Sequence, residues 1–168
     1  MKQGKYDSRR ENLPFCRNKI EKGGNIMNYN ELKDLQDHIV FENEIKKYQL
    51  QYFFETIERL GLDKSISSLY PKGLYYGDEI NLILFYVDKI VIANVSNDSM
   101  SFETIKNCHI SSVEMEVKRS GDGKRKLSIS FDNHKEIVLI PKEDTVISFG
   151  EKFFEIIENI YKNLNNAS

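Results

Sequence analysis

The chain has 168 residues, of which 40% are hydrophobic and 30% are charged, and its net charge at pH 7 is −2. A chain of this length buries its own core as one domain, or as one domain with an appendage, so it needs neither disulfides nor a structural metal. Cys16 and Cys108 have no disulfide or metal-type spacing, and the longest apolar stretch, residues 82–87, is too short to cross a bilayer, which together predict a protein of the reducing cytoplasm.

The charge is unevenly distributed along the sequence. Residues 1–26 hold seven Lys or Arg against three acids, whereas the rest of the chain holds seventeen against twenty-three, a net charge of −6. A body of that charge does not attract nucleic acid or an anionic membrane through its overall field. We therefore expect no nucleic-acid partner, and any anionic partner would need a local basic patch.

Residues 1–26 lack apolar periodicity and end in a Lys-Gly-Gly sequence shortly before a second methionine, Met27. Lys-Gly-Gly can be encoded by a purine-rich ribosome-binding sequence, so we expect translation to start at Met27 and residues 1–26 to be an upstream extension. The alternative is a disordered basic arm. N-terminal mass spectrometry of the native protein distinguishes the two.

Residues 27–71 are predicted to form a helical layer. Residues 32–39 and 45–60 repeat apolar side chains at helical spacing, Gly61 is placed to end the second helix, and Pro71 ends the region. The second helix has an aromatic face that we expect to pack on the domain's own sheet, the alternative being a groove for a partner. That face comprises Tyr48, Tyr52, Phe53 and Phe54.

Residues 72–168 are predicted to form an antiparallel sheet closed by one helix. Residues 79–87 and 89–95 are apolar on both faces, as expected of a central hairpin that is covered on each side. Residues 99–105 follow as a shorter strand.

The next strands alternate apolar with polar side chains, which predicts one solvent-facing side. They cover residues 113–118 and 126–132 and are joined by a glycine-rich turn, and a further turn leads to a strand at residues 137–140. Consecutive hairpins of this kind make an antiparallel meander.

A predicted amphipathic helix follows over residues 149–163. Ser148 and Glu151 have the spacing of a capping box, which contributes about 1 kcal/mol. Burying each side chain of the apolar stripe contributes about 1.5 to 3 kcal/mol, so docking on the sheet outweighs capping. The stripe comprises Phe153, Ile156, Ile157, Ile160 and Leu164.

Residues 79–164 resemble the bacterial pleckstrin-homology-like domains, in which a terminal helix closes one end of a small antiparallel barrel. Residues 104–114, TIKNCHISSVE, are similar to that family's strand, bend and strand, in which an Ile and a Val three positions apart enter the core. The chain from Met27 onward also resembles an uncharacterised family of small bacillus-type proteins. Both resemblances imply a fold but no activity, because this scaffold supports lipid, peptide and protein binding.

The strongest local charge signal is a cluster of five cations around the glycine-rich turn. It is a candidate weak site for an anionic group, since five contacts at about 1 kcal/mol each correspond to a dissociation constant of a few tenths of a millimolar. The alternative, which we favour, is a solvated turn whose charges protect exposed strand ends. The cations are Lys118, Arg119, Lys124, Arg125 and Lys126.

No residue set predicts catalysis or a metal site. Asp34, His38 and Glu42 lie four apart, but acid and histidine on one helical face usually stabilise the helix. Cys108 and His109 are adjacent in a predicted strand, so their side chains point to opposite faces and Cys108 is expected to be buried. We therefore expect no metal, no cofactor and no enzymatic activity.

Together the patterns predict an α+β protein: helices, then a pleckstrin-homology-like barrel or meander, then a closing helix. We expect a noncatalytic intracellular module that binds a protein or peptide through an exposed strand edge or the groove beside the closing helix. The alternative is attachment to an anionic membrane through the basic hairpin, residues 118–126.

Overall fold

The computed structural model describes residues 27–38, 44–118, 125–145 and 149–166. These residues form helices and two antiparallel sheets, which confirms the α+β class. The elements in chain order are α1 (Tyr29–His38), α2 (Glu44–Arg59), β1 (Ser68–Lys72), β2 (Ile80–Phe85), β3 (Lys89–Val95), β4 (Met100–Lys106), a 3₁₀ turn (Asn107–His109), β5 (Ile110–Val117), β6 (Arg125–Phe131), β7 (Glu136–Leu139), α3 (Pro141–Asp144) and α4 (Gly150–Asn166).

The strands follow the predicted meander within each sheet. The first sheet has the order β1-β2-β3-β4 and the second has the order β5-β6-β7, with every neighbouring pair antiparallel. Among the described residues no strand pairing joins β4 to β5, so the hydrogen-bonded ladder does not continue around a closed barrel.

Strands β2 and β3 form the predicted central hairpin. Leu82, Ile83 and Leu84 are consecutive and all buried, and side chains of consecutive strand residues point to opposite faces. Both faces of this hairpin are therefore covered, as its continuous apolar sequence predicted.

Strand β1 was not predicted from the sequence. Pro71 was expected to end a helical region, but it lies within β1 opposite Leu82 of β2. Proline is accepted there because β1 is at the edge of its sheet, where a strand can lack an N–H donor on its open side. Strand β1 spans the boundary that the sequence predicted between a helical layer, residues 27–71, and a sheet domain, residues 72–168. The division of the chain into these two parts stays a prediction.

Helix α2 ends where its sequence predicted. Gly61 has a φ of 67°, the left-handed conformation that glycine adopts without strain. The Gly61 N–H donates to the Glu58 carbonyl at 3.0 Å, and the Leu62 N–H donates to the Ile57 carbonyl at 2.9 Å. This pair of bonds is a Schellman motif and satisfies the last carbonyls of the helix.

Two buried polar side chains anchor α2 to the first sheet. The Lys46 ammonium donates to the Glu79 carbonyl at 3.0 Å, and the Gln49 amide donates to the Asp78 carbonyl at 2.7 Å and to Asn97 Oδ1 at 2.8 Å. Burial lowers the pKa of Lys46, while the neighbouring Asp78 and Glu79 oppose that effect. The helix is thus held at two connecting segments rather than only through its apolar face.

The second sheet is more open. In β5 Val113 and Met115 are half-buried and alternate with exposed Glu114 and Glu116, as predicted, but the prediction was wrong at Val117, which is 56% exposed at the end of the strand. In β6 the prediction was wrong at Ser128, which is buried. The reason is position, because β6 lies between β5 and β7 and is shielded on both sides.

Helix α4 contacts β1, β5 and β6 and therefore spans both sheets. Its predicted stripe is confirmed, since Phe153, Ile156, Ile157 and Ile160 are buried and Leu164 packs against the core. The predicted cap residue Ser148 lies outside the described residues.

A buried polar link, absent from the sequence prediction, joins β1 to α3 and α4. The Asp144 carboxylate accepts from the Tyr70 hydroxyl and from the Ile140 N–H, each at 2.8 Å, and lies 3.4 Å from the Lys72 ammonium. Burial, together with Asp144, raises the pKa of Tyr70, so its hydroxyl remains a donor. The Tyr70 ring meets Phe153 edge-on, with centroids 5.1 Å apart.

Candidate functional site

The predicted anion site comprises the cations that surround the connection between β5 and β6. Arg119 and Lys124 lie outside the described residues. Lys118 is exposed, with its ammonium 3.5 Å from the Glu116 carboxylate. Lys126 lies directly opposite Glu116 in the β5–β6 register, so this acid offsets part of the positive charge.

The remaining cation of the five, Arg125, is held against α4. Its guanidinium is 2.8 Å from the Glu158 carboxylate and lies over the Phe154 ring, 5.0 Å from the centroid. An arginine paired with a carboxylate and stacked on an aromatic ring has a structural role in this position. It joins the second sheet to the closing helix.

A cavity lies where β5 begins and α4 ends. Its volume is about 530 Å³, and it is bounded by β5, by the 3₁₀ turn and by the last turn of α4. Strand β5 contributes four consecutive residues, 110–113, while Asn107 and Cys108 come from the 3₁₀ turn and Leu164 and Asn165 from α4. The sequence stretch singled out for its resemblance thus forms one wall of this cavity.

A second cavity of about 310 Å³ adjoins the first across Val87, Asn107 and Leu164, which line both. It is bounded by Ser67 and Ser68 at the start of β1, by the end of β2 and by the last turns of α4. We call this second space the Ser68 cavity, and the two spaces together the β5–α4 groove.

The described residues that line the β5–α4 groove include no Asp, Glu, Lys, Arg or His. Charged residues make up 30% of the chain, so this neutrality is a distinct local property. Such a groove offers apolar contacts and neutral hydrogen-bonding groups, and it offers an ionic ligand no counter-charge.

Asn107 holds the floor of the groove. Its backbone N–H donates to the Asp88 carbonyl at 2.9 Å, and its side-chain amide donates to the carbonyls of Val87 at 2.9 Å and Tyr86 at 3.3 Å. The turn between β2 and β3 is thereby tied to the 3₁₀ turn that follows β4. The Oδ1 of Asn107 is buried and has no hydrogen-bond partner among the described residues, and the same is true of the Ser68 hydroxyl.

The prediction that Cys108 is buried was wrong. The 3₁₀ turn interrupts the strand alternation on which that prediction rested, and the thiol is exposed beside the groove. His109 Nδ1 lies 3.6 Å from an oxygen of Asp132.

The aromatic face of α2 divides into two parts. Phe53 and Phe54 are buried, as expected, but Tyr48 is 67% exposed and Tyr52 is 51% exposed, so core packing was the wrong prediction for the tyrosines. The tyrosines lie four residues apart on the outer side of the helix. Between them and Asn97 lies a third, shallower space of about 490 Å³.

Among the described residues, no three His, Cys, Asp or Glu side chains lie close enough together to hold a metal ion. Glu42, one member of the Asp34, His38 and Glu42 set, lies outside the described residues. None of the described helices combines the length and the apolar composition needed to cross a bilayer.

Residues 28–155 match the model of a family described as "Protein of unknown function (DUF3908)". The match runs from the start of α1 into α4 and includes all seven strands. No curated protein and no solved structure gives a match.

Proposed function

Because the chain belongs to the DUF3908 family, whose description assigns no activity, we propose a function from the β5–α4 groove: the protein is a noncatalytic module that binds an extended protein or peptide segment along β5. The bound segment adds a strand to the second sheet. Backbone pairing supplies affinity, and the neighbouring cavities supply side-chain selectivity.

One observation carries this proposal. Within the part of the chain that the structure describes, strand β5 pairs only with β6, and four residues of β5 border the groove. An edge strand presents unpaired N–H and C=O groups, which are a template for another strand. Here that template lies beside a cavity whose described lining carries no charged side chain, and a more apolar cavity adjoins it.

We also propose that the fold is of the pleckstrin-homology-like type. Antiparallel strands followed by one closing helix are what that resemblance implies, and the half-buried Ile110 and Val113, which it places in the core, both pack against buried residues. The cytoplasm as the compartment also stays a proposal, which rests on the two cysteines having no disulfide-type spacing in the sequence.

A peptide selection with a proline scan tests the proposal. The full chain with Cys16→Ser is used to select binders from a random peptide library, and affinity is measured by fluorescence anisotropy. Ser112→Pro and Val113→Pro are then compared, because the N–H groups of adjacent strand residues point to opposite edges. The proline that removes the outward N–H should weaken binding about tenfold with little change in Tm, since one backbone hydrogen bond is lost.

Strand β4 provides the matched control, because it is also at the edge of its sheet. Glu103→Pro and Thr104→Pro should leave peptide affinity unchanged in whichever variant remains folded. Alkylation of Cys108 gives an independent measurement, since a bound peptide should slow the reaction of a thiol that borders the groove.

Two outcomes would overturn the proposal. One is a library that yields no peptide above background, or peptides whose affinity ignores proline at both β5 positions. The other is binding to acidic vesicles at low salt that is lost when Lys124, Arg125 and Lys126 become Ser, which would replace peptide binding by membrane attachment.

A further inference from the structure

We infer that the exposed face of α2 is the contact surface of a symmetric dimer, in which α2 of one copy packs antiparallel against α2 of a second copy. This face is separate from the proposed peptide site, because the described residues that line the shallow space at α2 and those that line the β5–α4 groove have no member in common. The inference therefore does not depend on peptide binding, and either proposal can fail without the other.

A single stripe of exposed side chains runs the length of α2. Its members recur at intervals of three or four residues, the spacing that aligns side chains on one side of a helix. A straight stripe of this kind fits a second helix laid along it. The stripe comprises Glu44, Tyr48, Gln51, Tyr52, Glu55 and Arg59.

The middle of the stripe is aromatic. Tyr48 and Tyr52 each keep more than half of their surface exposed, and both line the shallow space that extends to Asn97. Tyrosine contributes a large contact area at a small cost in conformational entropy, and it is enriched in protein interfaces. The two rings therefore give the stripe the character of a contact surface.

The charges at the ends of α2 select a second copy as the occupant. Glu44 lies in the first turn of the helix and Arg59 in the last turn. In an antiparallel pair, Glu44 of each copy meets Arg59 of the other, so the two-fold symmetry makes the same favourable contact twice. The helix dipoles also oppose each other in this arrangement, whereas a parallel pair would place like charges together at both ends.

The same register also matches the residues between the ends. With Glu44 opposite Arg59, Tyr48 lies opposite Glu55, because each of these is four residues further along its helix from the end contact. The Tyr48 hydroxyl of one copy can then donate to the Glu55 carboxylate of the other. This contact also occurs twice.

Gln51 and Tyr52 lie opposite each other at the centre of the same arrangement. The Gln51 amide nitrogen donates to the Glu55 carboxylate of its own helix at 3.0 Å. Its carbonyl oxygen can accept from the Tyr52 hydroxyl of the second copy. Every residue of the stripe thus meets a complementary group when the stripe is paired with itself in the reverse direction.

The balance of charge on α2 favours self-association through this face. Residues 27–168 carry a net charge of −6, so two copies repel each other through their overall field. On α2 one exposed acid accepts bonds from α1, and the other exposed charges cancel, with Glu44 and Glu55 against Lys47 and Arg59. A second copy can therefore approach α2 without that repulsion.

Charge reversal at the two ends of α2 tests the inference on the full chain. Sedimentation velocity in a reducing buffer should show a monomer–dimer equilibrium, which is weak because one helix face from each copy is a small interface. Glu44→Arg alone, and Arg59→Glu alone, should each raise the dimer dissociation constant about tenfold, because both symmetric end contacts become repulsive. Circular dichroism of each variant checks that the fold is retained.

An equimolar mixture of the two single variants provides the decisive comparison. In the mixed dimer every end contact again joins an acid to a base, so association should return to about the native strength although each variant alone associates weakly. A role of Glu44 or Arg59 confined to its own chain would give no such recovery.

Replacing the tyrosines tests the middle of the stripe. Tyr48→Ala combined with Tyr52→Ala should abolish the dimer with little change in Tm, because both side chains are exposed. The matched control is Tyr76→Ala, which removes an exposed tyrosine outside α2 and should leave the dimer intact.

Three outcomes would overturn the inference. The first is a native chain that stays monomeric up to about 1 mM. The second is a dimer that persists when both tyrosines of α2 are replaced. The third is a mixture of the charge-reversal variants that associates no more strongly than each variant does alone.

Discussion

The two sheets of this protein are packed in opposite ways. The central strands of the first sheet are buried on both faces. Tyr70 in β1 and Tyr86 directly after β2 are buried as well. The second sheet exposes alternate residues of β5, and β6 is the one strand that pairs with β5 among residues 27–38, 44–118, 125–145 and 149–166. The first sheet thus supplies most of the core, and the second presents an accessible strand edge.

The closing helix, α4, contacts both the buried first sheet and the more open second sheet. Its first turns bury Phe153, Ile156 and Ile157 in the core, whereas Asn163, Leu164 and Asn165 near its end line the groove. Substitutions near the start of α4 should therefore affect stability, and substitutions near its end should affect binding. The following changes test that contrast, from the largest expected effect to the smallest.

Phe153→Ala should lower the free energy of unfolding by about 3–5 kcal/mol, because it removes a fully buried ring from the core between the sheets. Urea denaturation followed by circular dichroism measures the change. The neighbouring Phe154→Ala is the control and should cost clearly less, since Phe154 is only half-buried. Equal costs at the two positions would contradict the assigned packing of α4.

Tyr70→Phe should lower the free energy of unfolding by about 1–3 kcal/mol, because Asp144 loses a buried hydrogen bond while the ring contact with Phe153 remains. The control is Tyr76→Phe, because Tyr76 is an exposed tyrosine in the segment that connects β1 to β2. A Tyr70→Phe variant as stable as the native protein would show that the link between β1 and α3 contributes nothing.

Alkaline pH should lower the free energy of unfolding of the protein. Burial raises the pKa of Tyr75 and of Tyr86 to about 12 from the ordinary value of 10.0. Between pH 10 and about 12 the unfolded chain releases protons that the folded chain retains, so stability is full below pH 10 and falls as the pH rises through this window.

Tyr86→Phe should make that decline shallower, and Tyr48→Phe on the outer face of α2 should not. Denaturant midpoints measured from pH 9 to 12 provide the comparison. A slope that is the same in all three proteins would count against the burial of Tyr86.

Glu158→Gln should have the smallest effect, about 0.2–1 kcal/mol, because its ion pair with Arg125 is about one-third exposed. A double-mutant cycle with Arg125→Gln isolates the coupling, and added salt should reduce it. A coupling well above that range would mean that the second sheet depends on α4 as strongly as the first sheet does.

The spacing of apolar residues along the chain predicted those helices and strands whose own sequence shows a clear pattern. Alternation predicted β5, continuous apolar sequence predicted the β2–β3 hairpin, and the stripe that begins at Phe153 predicted α4. Strand β1 was missed because it has only five residues and contains Pro71, which locally indicates a break.

The groove depends on contacts that no sequence pattern displays. Ser68 and Leu164 are far apart in the chain and meet only because α4 crosses both sheets. The side-chain bonds of Asn107 to the β2–β3 turn span about twenty residues and leave no periodic trace. The one available signal was the stretch from 104 to 114, which was singled out for packing rather than for a site.

The side-chain amide of Asn107 makes one end of the groove depend on a single residue of the 3₁₀ turn. Its two N–H groups hold one corner of the first sheet together, because they bind the turn between β2 and β3 to the residue that follows β4. Replacement by aspartate would set a carboxylate against two carbonyls and drive that corner apart. Asn107, a residue outside β5, therefore helps to set the shape of the groove that β5 borders.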